Sequence, residues 1–93
     1  MSKKELIGYC GVDSGQLLIV DPCYLHDWKH GEYDDLDSSY REVCDVTLGP
    51  KQAGSAFNDM GVALSTGYGD GNYPIFIKRN SEGRIIQVII DFN

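Results

Sequence analysis

Four side chains between Asp21 and Gly31 have the types and spacing that chemistry needs. Cys23, His26, Asp27 and His30 stand at i, i+3, i+4 and i+7. On an α-helix these positions share one stripe, facing away from Tyr24 and Trp28. Cys23 would lie in the first turn, where the helix dipole favours a thiolate. Two chemistries follow. Cys23, His26 and His30 could ligate zinc with a remote fourth ligand such as Cys44, although the C-x2-H-x3-H spacing is half of a known pattern without its partner pair. Alternatively, Cys23 is a nucleophile with His26 as its base. A third reading needs no chemistry: a small buried cysteine beside exposed histidines on a polar helix face.

A second concentration of candidates lies in Gly67-Tyr68-Gly69-Asp70-Gly71-Asn72. A dinucleotide loop joins a strand to a helix, whereas this segment reads as strand on both sides. Its amides could still form an anion nest. Asp70 and Asn72 could offer oxygens to a hard cation, and Tyr68 and Tyr73 could wall a flat ligand. Turn geometry explains the glycines at least as well. On that reading strands 61–66 and 73–79 pair antiparallel across the loop, and at least one of Gly67, Gly69 and Gly71 has positive φ. Asp70 then bonds amides of its own turn. Asp13, Asp21, Asp70 and Asp91 do not form an evident acid–base pair, because turns, a cap and a strand end account for them.

The elements that would position these residues are mostly short strands. Residues 6–12 and 16–20 read as strands joined by the turn Val12-Asp13-Ser14-Gly15, an N-terminal hairpin. Asp21 as N-cap and Pro22 at the first position start a short helix over residues 22–30, with Gly31 as its cap. Tyr40 to Leu48 alternates like a third strand, with Tyr40, Cys44, Val46 and Leu48 on one face. Residues 51–60 are weakly patterned, with Phe57 and Met60 able to anchor one turn. Residues 61–66, 73–79 and 84–92 read as further strands, the last two joined by the four-residue loop Asn80-Ser81-Glu82-Gly83. The last strand is apolar on both faces and reads as central. The sum is a mainly β fold of about six antiparallel strands in a small sandwich or partly open barrel.

The chain has 93 residues, 42% hydrophobic and 24% charged, which suits a single domain spanning 1–93. Residues 1–50 hold four Lys/Arg and ten Asp/Glu, so the whole −6 imbalance lies there. Such a chain is poorly suited to nucleic acid or anionic membrane. Its acidic stretch is either a solubilising face or a surface for a basic partner or cation. Three cysteines and no export signal suggest reduced thiols in a cytoplasm. No cofactor is expected.

Several blocks carry a resemblance: Gly11-Val12-Asp13-Ser14-Gly15, Asp21-Pro22-Cys23-Tyr24, the run Ser65 to Pro74, and Gly83 with the ending Asp91-Phe92. Together they resemble a group of uncharacterised bacterial and phage proteins, and the C-terminal part of a larger family known only as a domain of unknown function. The resemblance implies a bacterial or phage cytoplasmic setting. It brings no activity, cofactor or catalytic residue. The expectation is a small soluble binding or protein-interaction module. The alternatives are a small enzyme using Cys23 and His26, and a phage-encoded module that sequesters a small ligand at Tyr68, Asp70, Asn72 and Tyr73.

Overall fold

The computed structural model describes residues 3–93. Its strands are β1 (Glu5–Val12), β2 (Gln16–Val20), β3 (Ala53–Ala56), β4 (Gly61–Ser65), β5 (Gly71–Arg79) and β6 (Ile85–Ile90). A 3₁₀ helix spans Pro22–Asp27, and one α-helix, α1, spans Ser39–Thr47. The fold is mainly β, with six antiparallel strands in two three-stranded sheets and no closed barrel. The chain forms two compact units: the stretch up to Gly15 together with Gly67–Asn93, and Gln16–Thr66.

The first unit is the sheet β1-β5-β6. Its β5–β6 hairpin closes as its sequence suggests. Asn80 Oδ1 accepts the Glu82 and Arg84 amides, and Gly83 takes φ 82°. Pro74 sits in the middle strand, where its carbonyl still accepts the Asp91 amide at 3.2 Å. Tyr73 and Phe92 pack edge to face with centroids 5.1 Å apart.

The second unit is the sheet β2-β4-β3 with α1 against it. Register places Leu18, Ala63 and Gly54 in one row across the sheet. Val43, Ala56 and Ala63 form the core, flanked by Leu18, Trp28 and Val46. The alanines and glycines let the helix approach: a Cβ on Gly54 would lie only 3.5 Å from Val46. Polar ties fix the helix end. Thr47 Oγ1 donates to Gln16 Oε1, Gln16 Nε2 donates to Cys44 Sγ at 3.4 Å, and Ser65 Oγ donates to the Thr47 carbonyl at 3.2 Å.

Several expectations are corrected. Residues 40–47 are helical, not a strand, and Leu48 caps the helix. Ser38 caps α1 by accepting the Arg41 amide at 3.0 Å, Arg41 pairs with Asp45 at i+4, and Ser39, Val43, Cys44 and Thr47 are buried at helical spacing. The missing strand is β3, in the weakly patterned stretch. β1 and β2 do not form a hairpin. The eight-residue β1 pairs with the nine-residue β5, and the five-residue β2 with the five-residue β4, so each finds a partner of its own length. For the same reason 61–66 and 73–79 lie in different sheets. β6 is an edge strand rather than a central one. The helix after Asp21 keeps its predicted N-cap and proline but is 3₁₀ and ends at Asp27, with Trp28 extended. Lys29, His30 and Gly31 therefore lie outside it.

Gly61 gives the sharpest packing test. A Cβ there would meet the Ile19 carbonyl oxygen at 2.7 Å, whereas one on Gly67 meets nothing within 4 Å. Gly61→Ala is expected to lower stability by about 2 kcal/mol, and Gly67→Ala to change it by less than about 0.5 kcal/mol, measured by urea unfolding.

Candidate functional site

The second unit contains a cleft of about 270 Å³. Three segments build it. The first is Asp27 to Lys29, held to the start of α1 by reciprocal bonds. The Lys29 amide donates to Ser39 Oγ and the Ser39 amide to the Lys29 carbonyl, both at 2.9 Å. The second is Leu36 to Glu42, where Ser38 Oγ also donates to the Glu32 carbonyl. The third is the β3–β4 turn at Phe57 and Asn58.

That turn has unusual backbone. Phe57, Asn58 and Asp59 all have positive φ, at 60°, 54° and 63°, and the Met60 amide donates to the Phe57 carbonyl. Asn and Asp tolerate this conformation, and it suits a tight hairpin. Phe57 does not, at a cost of about 1 kcal/mol. It is held there by burial against Trp28, with ring centroids 5.9 Å apart. Glu42 Oε2 accepts the Asn58 amide at 3.1 Å and ties the turn to α1.

The cleft is acidic and mostly polar. Asp27, Asp37 and Glu42 line it against a single cation, Lys29, with Phe57 and Leu36 supplying apolar surface. Its unit carries nine Asp/Glu and three Lys/Arg, whereas the other unit has five of each. The −6 charge of the chain thus belongs to the unit that contains the cleft. An excess of carboxylates over cations around a concave surface gives it a negative potential. The acidic segment was visible in the sequence. The parts played by Asp37, Glu42, Phe57 and Asn58 were not, because they depend on residues 39–47 being helical.

Of the predicted site residues, Asp27 lines the cleft and the others fall elsewhere. Cys23 is exposed, and Cys23 and His26 share one side of the 3₁₀ helix, whose repeat is three residues. His26 Nε2 lies 3.2 Å from Asp27 Oδ1, with both side chains largely exposed. His30 lies outside the helix and leaves their stripe. Cys44 is buried in α1, where its hydrogen bond to Tyr40, and then its charge, push the Tyr40 phenol above its ordinary range. Among the described residues no three His, Cys, Asp or Glu side chains are grouped to hold a metal ion.

In the glycine segment Gly69 takes φ 87°, as a turn there requires. The Tyr73 hydroxyl ties the loop. It donates to the Gly69 carbonyl at 2.7 Å and lies 3.4 Å from the Asp70 carbonyl. Tyr68 is 80% exposed and Tyr73 is buried. Asn72 is exposed and pairs with Gly11 in the β1–β5 ladder. No helix among the described residues is long and apolar enough to cross a membrane.

These features define an antiparallel two-sheet protein with an acidic cleft beside one short α-helix. Residues 1–90 match the family model described as protein of unknown function (DUF4241), and the chain belongs to that family. No curated protein and no solved structure was found to match it.

The loop ties give a direct test. Tyr73→Phe should cost about 1 kcal/mol by removing the bond to Gly69, and Asp70→Asn less than about 0.5 kcal/mol, both read from thermal unfolding with matched urea titrations.

Proposed function

We propose that this chain is a small binding module that recognises a basic segment of a protein partner, seating a Lys or Arg side chain in the cleft bounded by Asp27, Asp37 and Glu42. The observation that carries this reading is the cleft itself: three carboxylates and one ammonium line it together with Phe57 and Leu36, in a unit of net charge −6. A volume of about 270 Å³ suits one long side chain better than an extended ligand. Phe57 and Leu36 offer surface to its methylene stem while the carboxylates meet its charged head. The same charge favours a protein over nucleic acid. The sequence motifs support a bacterial or phage origin, and the three unpaired cysteines support a cytoplasmic setting.

Trp28 is the only tryptophan and packs on the cleft residue Phe57, so its fluorescence reports occupancy. A short oligo-arginine peptide should shift Trp28 emission, with affinity falling as salt rises, and an oligo-glutamate peptide should not. Asp37→Lys should weaken the basic peptide about tenfold while leaving the circular dichroism spectrum unchanged. Equal binding of both peptides, or indifference to Asp37→Lys, overturns the reading.

The Cys23 and His26 placement supports a second reading, a thiol-dependent enzyme. Under the binding-module reading, an alkylating reagent at neutral pH modifies Cys23 at the rate of an ordinary exposed thiol, and Cys44 more slowly because it is buried. A rate for Cys23 far above an ordinary exposed thiol favours the enzyme.

A further inference from the structure

β6 ends its sheet with an apolar edge, interrupted by a bulge at Ile86. Ile85, Ile86 and Val88 are each more than half exposed, and the strand holds no charge and no proline. Natural edge strands are generally blunted by such residues or covered, because their unpaired amides and carbonyls can take up another strand.

The hydrogen bonds to β5 show which backbone groups remain. The Asp91 amide donates to the Pro74 carbonyl, and the register runs on through Ile75↔Ile90, Phe76↔Ile89, Ile77↔Val88 and Lys78↔Gln87. Antiparallel pairs alternate between bonded and non-bonded. Gln87, Ile89 and Asp91 therefore direct their amides and carbonyls towards β5, while Val88 and Ile90 direct theirs away. At the other end the Arg84 carbonyl accepts the Asn80 amide at 2.9 Å, so Arg84 also faces β5. The irregularity at Lys78/Arg79 leaves Ile86 without an opposite residue, and Ile85, paired with Arg79, again faces outward. The free edge is thus Ile85, Val88 and Ile90, with Ile86 as a bulge between them.

This edge is complementary to itself. An antiparallel second copy centred on Val88 sets Val88 against Val88, Gln87 against Ile89, and Ile90 across the bulge against Ile85. The next step sets Asp91 against Arg84. Every outward-facing residue then meets an outward-facing residue, as a ladder requires, and opposite charges meet at both ends of an uncharged centre. The Arg84 side chain makes an exposed pair with Glu82, its Nε 3.0 Å from Glu82 Oε1, which can be exchanged at little cost. Asp91 Oδ1 accepts the Asn93 amide at 2.9 Å.

We propose that the chain forms a two-fold symmetric dimer in which β6 pairs with β6 of a second copy, giving a continuous sheet β1-β5-β6-β6-β5-β1. β6 then lies between two strands, as its apolar sequence suggests, with its unpaired amides and carbonyls satisfied. This rests on the first unit alone and does not depend on the cleft.

Sedimentation equilibrium of the whole chain across the micromolar range is the test. A dimer is expected. Arg84→Glu, which sets like charges together at both ends, should weaken association about tenfold, and so should Asp91→Arg. The Arg84→Glu/Asp91→Arg double variant should regain the original association. Val88→Lys, an exposed position that places two ammonium groups on the axis, should give a monomer with an unchanged circular dichroism spectrum. A monomer at every concentration overturns the proposal. So does a dimer indifferent to Val88→Lys and to the charge exchanges, and so does open-ended association in place of a dimer.

Discussion

Ala63 has no exposed surface, and the geometry of the second unit follows from that burial. It stands on the middle strand between Leu18 and Gly54, in a row whose side chains shrink from one edge of the sheet to the other. The next row is Val20, Gly61 and Ala56. Only small residues leave room for Val43 and Val46 of α1 to lie close to the backbone of the sheet. Larger side chains there would lift the helix, and interiors packed at crystal density do not absorb such a shift. With the helix lifted, Ser38, Ser39 and Glu42 would move with it, and the cleft at its N-terminal end would be lost. The acidic site therefore depends on alanines and glycines that never touch it.

Glu42 shows how structure and chemistry share one residue. Its carboxylate accepts the amide of Asn58 and so secures a turn in which a phenylalanine adopts left-handed backbone. It also contributes to the negative lining of the cleft. Asp27 and Asp37 lie on flanking segments outside α1 and are freer to serve a ligand. The strain at Phe57 is offset by its burial against Trp28, which couples the floor of the cleft to the core beneath it.

The first unit has a different character. Among the described residues its sheet has no helix of its own, and its charges balance, five against five. Stability comes from the ladder, the Tyr73–Phe92 contact and ties such as Arg79 to Glu5 and the Lys4 ammonium over the Phe76 ring. An open sheet with an apolar edge is the part of the molecule most ready to continue into another sheet, while the acidic unit is the part most ready to attract a charged group.

What the sequence alone determined was local. It specified the Asn80–Gly83 hairpin, the Asp21-Pro22 helix start, a positive φ in the glycine segment, a mainly β chain of six antiparallel strands, and the concentration of negative charge in the first half. Each rests on short-range stereochemistry or on counting, which neighbours in space do not alter. The pairing of strands was decided by tertiary structure, because β1 and β2 are matched in length by distant strands rather than by each other. So was the helix at Ser39–Thr47. Its alternating residues fit a strand as well as a helix, and the choice went to the arrangement that buries Val43 against Ala56 and Ala63. The cleft became visible only after that choice, since it joins residues from three separate segments around the start of one helix. The apolar pattern of β6 was legible, but its place at the edge of the sheet was decided by the pairing of β5 with β1.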